Sequence, residues 1–477
     1  MSSTSITKNT AFMTIASIGQ KVVSFVYFTM IARQIGAEGT GKYFFALSFT
    51  TIFVVFVDLG FTNVLVREAA KAKDKIQSYL STILAGKIVF GVLSYIVVFF
   101  IINLMGYPIE TRHLVYLSAI TMLFDSLHLT LYGVLRAIGD LRYEAGSIVA
   151  SQIITLGLGS YFLYHDYPLI YLILAFTIAS ACNVLFVSTL THFKFRLSLV
   201  PRFDKSTFFH LGAIAIPFAV AGILARVYGY VDSVILSKMA GDIAVGWYSI
   251  PYKITFAFQF VPLALVATLY PRLSEAYAHD RMRLAYMFER AMKYLLIIAF
   301  PIAIGISVLA RDIVLSLYTA EYEPSILPLQ ILVLSLIFSF LSFPIGAFLN
   351  ACDRQVTQTK IVACVLTVNV IMNILLIPSL GVVGAALSAF VGNFLMTIIG
   401  YIFVPRVAVI SHRYIAKAVG QIACSALVMG ALVWLVNQYT SYLIAIVGGA
   451  IVYSVMLFAT RALTRRDMRE AMTLLKK

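Results

Sequence analysis

The sequence predicts an all-α polytopic membrane protein of fourteen transmembrane helices, on three observations. Of 477 residues, 61% are hydrophobic and 12% charged, whereas an ordinary soluble domain carries about a quarter charged residues. Apolar runs of 18 or more residues recur from end to end, each able to cross roughly 30 Å of hydrocarbon as a helix. Lysine and arginine collect in short connections on alternate sides of these runs, the pattern of bilayer topology.

The apolar windows place spans at approximately 10–35, 42–66, 80–104, 114–136, 146–164, 168–190 and 207–237 in the first half. In the second half they lie at 246–270, 290–318, 326–350, 358–379, 382–404, 414–436 and 441–460. The N-terminus and alternate connections hold 26 of the 36 Lys and Arg residues, from Lys8 to the 461–477 tail, and the opposite connections hold Arg33, Lys42, Arg112 and Lys238. Both termini are therefore expected in the cytoplasm, which requires an even number of spans. An inner-membrane, multi-pass location follows.

The net charge of +15 reports this topology and not nucleic acid, because the basic residues flank apolar runs. Cys182, Cys352, Cys364 and Cys424 are scattered singly through apolar segments, without metal-site or disulfide spacing, and read as core packing. No metal site and no cofactor are expected. The first apolar segment is too long for a signal peptide and should remain as an uncleaved span. Connections on the sparsely charged side are under about ten residues, and the longest on the basic side, 191–206 and 271–289, are too short to fold alone. Catalytic residues are not expected, and function must reside among the helices.

An internal repeat is visible. At an offset of 205, Lys21 falls on Arg226, Tyr43 on Tyr248 and Arg67 on Arg272. At 213, Gly133–Asp140 (GVLRAIGD) falls on Gly346–Asp353 (GAFLNACD). Six spans per repeat give both copies the same entry side, so a pseudo-two-fold axis should run along the membrane normal. The expected organisation is an N-lobe (1–190), a linker (191–206), a C-lobe (207–404), two additional helices (405–460) and a basic tail (461–477), with a cleft between the lobes.

An ionisable group at membrane depth costs a few kcal/mol even on permissive scales, so it should face a cavity or a partner. Lys21 lies eleven residues into its span, about 16 Å deep, and with the repeat-related Arg226 is expected to line the cleft. Lys253 can reach the cleft or snorkel, whereas Lys87 and Lys293 lie near span ends, where snorkelling is cheaper. Arg33, Arg311, Asp312 and Asp58 read as near-interface groups. Asp125 and His128, three apart on one helix face, can couple an ion or fix packing. Asp232 is expected to be a counter-ion of Arg226 or Lys253. These seven in-span cations against four acids favour an anionic ligand. Pro217, Pro251, Pro262, Pro301, Pro328 and Pro344 predict kinks in spans seven to ten, whereas the first lobe has no proline within its spans.

Gly36–Lys42 (GAEGTGK) matches a phosphate loop until Tyr43 replaces the required Ser or Thr, and it follows a membrane helix instead of a strand. The same segment carries a resemblance. Ala32-Arg33, Gly36-Ala37-Glu38, Gly41 and Tyr43, then Asp58-Leu59-Gly60-Phe61 and Arg67-Glu68, are similar to polysaccharide-biosynthesis flippases of the O-antigen (Wzx, RfbX-like) type. These belong to the multidrug/oligosaccharidyl-lipid/polysaccharide exporter superfamily. Lys253-Ile254, Pro271-Arg272-Leu273-Ser274, Asn369, Asn373, Ile377-Pro378, Gly381 and Gly384-Ala385-Ala386 continue the match nearly end to end.

The resemblance implies a flippase moving a polyprenyl-diphosphate-linked oligosaccharide from the cytoplasmic to the outer leaflet by alternating access, and it raises the expectation that Lys253 lines the cleft. Lys21, Arg226 and Lys253 would bind the diphosphate, and Asp125, His128 and Asp232 would couple an H+ or Na+ ion. The prenyl tail would run through membrane lipid along spans thirteen and fourteen. A monomer is expected, with glycan polymerase machinery as a partner. The alternatives are a lipid II flippase, a cation-coupled drug exporter or, at greater distance, a membrane glycan polymerase or ligase. A cationic-drug exporter should show an acidic interior, which this chain lacks.

Overall fold

The computed structural model describes residues 3–464, with side chains from Phe12 onward except at residue 15. The side chain of Lys8 and the basic tail from residue 465 lie outside the described residues. Helices make up the fold, and no strand occurs among the described residues. The longer helices are α1 (Ser3–Asp58), α3 (Ile76–Leu104), α4 (Ile109–Ile138), α5 (Arg142–Tyr164), α6 (Ile170–Thr189), α7 (Lys205–Phe258), α8 (Phe260–His279) and α9 (Arg281–Val308). They continue as α11 (Ile326–Ala351), α12 (Gln355–Leu380), α13 (Val382–Phe403), α14 (His412–Asn437) and α15 (Tyr442–Ala459). Short helices α2 (Phe61–Lys71) and α10 (Ala310–Leu317) intervene.

Twelve continuous stretches are long and apolar enough to cross a membrane. Two are too long for one crossing: at 1.5 Å per residue, stretches of 47 and 75 residues exceed 30 Å of hydrocarbon at least twofold. Each is broken by a glycine with left-handed φ, Gly36 (φ 71°) and Gly241 (φ 82°). Dividing at these glycines restores fourteen crossings. The two breaks are 205 positions apart, the offset that relates Lys21 to Arg226.

The chain forms two compact units, residues 1–249 and 250–477, so the seventh span groups with the first six. In the first unit, interhelical hydroxyl pairs hold helices together where lipid supplies no hydrophobic drive. Thr50 meets Ser118 at 2.7 Å and Thr62 meets Thr130 at 3.2 Å between α1–α2 and α4, while Thr121 meets Thr177 at 2.7 Å between α4 and α6. In the second, α11 packs on α9 and α13, and α14 on α9 and α15. Asn393 donates to Ser335 (3.2 Å), and the Tyr453 hydroxyl donates to the Ile297 carbonyl (2.8 Å).

Several expectations are corrected. Residues 271–289 are no loop: α8 runs to His279 and α9 starts at Arg281, with the Asp280 side chain accepting from the Arg283 amide as an N-cap at 2.9 Å. The ninth span therefore begins about nine residues early and breaks at Leu309 instead of running to 318. Pro217 and Pro251 lie inside α7, yet its non-helical backbone is at Gly241. The α7–α8 break at Gln259 adjoins Pro262, whose ring removes a donor in the first turn of α8, and Pro328 takes the same position in α11. Of the cysteines, Cys352 is buried whereas Cys182, Cys364 and Cys424 are exposed, because in a bilayer apolar side chains are equally at home on the lipid-facing perimeter.

Candidate functional site

The α1 and α7 helices approach each other beside their breaks. A Cβ on Gly41 would fall inside contact distance of the Asp242 carbonyl, and one on Gly246 inside that of the Ala37 carbonyl. These contacts are reciprocal at the repeat offset, 37 to 242 and 41 to 246, so the crossing is locally two-fold. The glycine-rich Gly36–Tyr43 segment thus serves a reversal and a close backbone approach. Lys21 precedes Gly36 by fifteen residues, and Arg226 precedes Gly241 by fifteen. Both cations therefore stand about 22 Å along their helices from the crossing. Lys21 is half-buried and Arg226 exposed.

Charged groups surround this crossing. Lys42 bridges Glu38 (2.9 Å) and Glu110 at the start of α4 (2.7 Å). The Tyr107 hydroxyl donates to Ser237 (3.0 Å), and the Lys238 ammonium donates to the Met105 carbonyl (2.6 Å).

Toward the basic side a line of buried polar groups winds around α4. Asp58 closes α1, and the turn after it uses left-handed Leu59 (φ 44°) and Gly60 (φ 78°), where a Cβ would lie 2.8 Å from the Phe218 Cβ. A carboxylate at a helix C-terminus opposes the helix dipole and needs a cation. Lys87 of α3 supplies it, at 2.6 Å from the Asp58 carboxylate, and also donates to the Ser126 carbonyl (3.0 Å) and hydroxyl (2.8 Å). The Thr62 hydroxyl donates to the same carboxylate. Lys87 is 2% exposed and Lys293, which lies 206 positions later in α9, is 6% exposed. Neither snorkels: Lys87 has an acid at its own depth, and the Lys293 ammonium lies 6.0 Å from the Tyr414 ring of α14.

Asp125 and His128 are indeed brought together, with 3.7 Å between carboxylate and Nδ1. Ser180 of α6 donates to Asp125, and the buried His128 Nδ1 has no hydrogen-bond partner among the described residues. One turn on, the Tyr132 hydroxyl joins Ser147 of α5 and Asn183 of α6. Glu144, fully buried, accepts from the Arg136 Nε at 3.0 Å. At the basic surface Arg142 is hydrogen-bonded to Asp140 (3.0 Å) and holds its carboxyl below the ordinary range, with Lys194 3.9 Å away adding to the effect.

Asp232 is 6% exposed and accepts from the Tyr248 hydroxyl at 3.1 Å. Lys253 is half-buried in the second compact unit. Asp58, expected as an unpartnered near-interface group, is paired with Lys87. Its pairing with Lys87 escaped sequence reading because each was weighed alone; the available signal was that both stand near the basic ends of consecutive spans, at one depth and with opposite sign. Arg311 and Asp312 are surface and half-buried groups, paired with Glu323 (2.8 Å) and Asn437 (2.8 Å).

Residues 6–277, more than half of the chain, match the family model described as polysaccharide biosynthesis protein. The chain belongs to the polysaccharide biosynthesis protein family. Residues 217–375 also match the MatE family model. Over 184 residues this family member is 26% identical to a Haloferax volcanii protein named probable flippase AglR, covering 38% of each chain. It is 21% identical to that organism's probable low-salt glycan biosynthesis flippase Agl15 over 448 residues, covering 92% of this chain and 93% of that one. The chain spans 38% of the length of the first curated relatives it matches. Among solved structures, the lipid II flippase MurJ in an inward closed conformation superposes with a TM-score of 0.78 at 18% identity, covering 94% of this chain and 98% of that one. That likeness establishes a shared fold.

Proposed function

We propose that this chain is a flippase carrying a polyprenyl-diphosphate-linked oligosaccharide from the cytoplasmic to the outer leaflet of the inner membrane by alternating access. The observation that carries the proposal is the repeat-related pair Lys21 and Arg226, at equal distances from the reciprocal glycine crossing of α1 and α7. A diphosphate suits fixed cations in a low-dielectric site, where charge-assisted hydrogen bonds are strongest. The resemblance of Lys253-Ile254 to the family pattern makes Lys253 a further candidate cation. Family membership and the flippase names of AglR and Agl15 support the same substrate class.

In this reading the basic side is cytoplasmic, the 36–43 and 241–248 segments close the outer end, and no bond of the substrate is made or broken. Asp125, His128 and Asp232 couple an ion to the cycle: the 3.7 Å between Asp125 and His128 shortens to a hydrogen bond when the imidazole is protonated. The protein acts as a monomer, alongside the glycan polymerase machinery that uses its product. A lipid II substrate shares the diphosphate and differs only in its glycan.

The test replaces Lys21 and Arg226 by Gln in reconstituted vesicles. A hydrogen bond to a charged group contributes roughly 1.5–3 kcal/mol, so translocation by the double variant should fall more than tenfold, with Lys21→Arg retaining most activity. Unchanged translocation by K21Q/R226Q would refute the assignment.

A further inference from the structure

Between α5 and α6, at their basic-side halves, lies a groove of about 400 Å³ lined by Ser147, Ala150, Ile154, Cys182, Asn183 and Phe186 among others, within the size range of ligand sites. Cys182 and Phe186 are exposed, so the groove opens on the perimeter of the unit. Its walls are apolar, but its floor is not. Asn183 is 6% exposed. Its Oδ1 accepts from the Tyr132 hydroxyl at 2.7 Å, while its Nδ2 has no hydrogen-bond partner among the described residues and is not among the fully enclosed orphan atoms. A donor left unpaired at the floor of a lipid-facing groove costs free energy unless a ligand accepts from it.

The basic end of the groove has its own chemistry. Lys194, closing the Leu190–Lys194 turn that continues from α6, lies over the Tyr143 ring at 4.0 Å and donates to its hydroxyl, so it bridges to the start of α5. Arg142 adjoins it, and the Asp140 carboxylate pairs with both. These three groups sum to one positive charge. Ser147 is four residues beyond Tyr143, about 6 Å along α5, and Asn183 shares the Tyr132 hydroxyl with Ser147, so both stand at one level. The interfacial layer separating phosphates from hydrocarbon is about 5–7 Å deep on each side of a bilayer. A phosphate at Lys194 therefore sets an acyl ester carbonyl at the depth of Asn183.

We infer that this groove is a binding site for one anionic diacyl glycerophospholipid, its phosphate at Lys194 and Arg142, an ester carbonyl accepting from Asn183 Nδ2, and an acyl chain along Ala150, Ile154 and Phe186. Basic pockets between transmembrane helices bind anionic headgroups in this manner. A prenyl phosphate offers the charge but no ester, so the site is distinct from that of the transported lipid and does not depend on the flippase reading.

Cys182 serves as the reporter. The full chain with Cys352, Cys364 and Cys424 replaced by Ser is placed in phosphatidylcholine nanodiscs, alone or containing phosphatidylglycerol, its diether analogue or undecaprenyl phosphate. The rate of Cys182 alkylation by an apolar maleimide is then read. Phosphatidylglycerol should slow alkylation relative to phosphatidylcholine, which has the esters but no net charge, and about fivefold relative to its own diether, the factor contributed by one hydrogen bond, and prenyl phosphate should protect less than phosphatidylglycerol. Asn183→Leu should erase the ester–ether difference, and Lys194→Gln the preference over phosphatidylcholine. Equal alkylation rates in all four lipids overturn the proposal, as does strongest protection by undecaprenyl phosphate. The four-lipid series on the Asn183-bearing protein decides the matter even where Asn183→Leu fails to fold.

Discussion

Removal of Asp58 should harm this protein more than removal of its partner Lys87, and the reason lies in how differently the two are exposed. The Lys87 side chain is 1% exposed and that of Asp58 21%. At their 2.6 Å separation the Coulomb attraction is about 6 kcal/mol at an effective dielectric constant of 20, most of it offset by the desolvation of both ions. Asp58→Asn leaves a fully enclosed ammonium with neutral acceptors alone, the Ser126 oxygens, the Thr62 hydroxyl and the new amide oxygen, which should cost about 3–5 kcal/mol, the range for breaking a buried pair. Lys87→Met leaves a carboxylate that still accepts from Thr62 and can gain water, so its cost should be about 2 kcal/mol, lower in the same range of effects. In the double variant no charge remains, and the total should fall short of the sum by at least about 1 kcal/mol. Reversible unfolding in mixed detergent micelles provides the four corners of the cycle. Single costs under about 1 kcal/mol that simply add would show that the pair is solvated and the reasoning wrong.

Two further outcomes follow from the geometry. Alanine at Gly41 or Gly246 places a methyl group against backbone carbonyls that cannot move aside as a side chain can. Each should destabilise the α1–α7 crossing by at least about 1–3 kcal/mol, read as lower thermal stability, whereas alanine at the uncrowded Gly229 should be tolerated. The depressed Asp140 carboxyl contributes stability above the ordinary aspartate range that is lost as pH falls through its lowered native value. Asp140→Asn should therefore be less stable than the parent at pH 7 and indistinguishable from it at the acid limit, seen in melting curves across pH.

The fourteen crossings were legible because hydropathy is a local property, and the 205-residue repeat because Lys21, Tyr43 and Arg67 recur in register. The same offset contains the structural breaks at Gly36 and Gly241, but a left-handed φ leaves no mark beyond glycine itself, and prolines were the louder signal. Residues 271–289 read as a connection because they are charged; Arg, Glu, Ala and Leu are also strong helix formers, and α8 and α9 continue past the bilayer on them. Helix α2 escaped notice because its eleven residues are amphipathic and too short to span. The Asp125–His128 pair was readable from helical spacing, since both lie on one element. Asp58 with Lys87, and Asn183 with Tyr132 and Ser147, join residues 15 to 51 positions apart on different helices, and periodicity within one helix carries no information about such partners.

The central claim is that fixed cations midway along the first and seventh spans carry a diphosphate-linked glycan across the bilayer. It is tested most directly in sealed proteoliposomes loaded with a polyprenyl-diphosphate-linked oligosaccharide, by the fraction of glycan that a membrane-impermeant glycosidase can remove. With the protein present, that fraction should rise well above that in protein-free vesicles, and it should remain at the protein-free level for an analogue whose diphosphate is replaced by an uncharged linkage. Equal cleavage with and without protein, or equal transport of the uncharged analogue, would contradict the account.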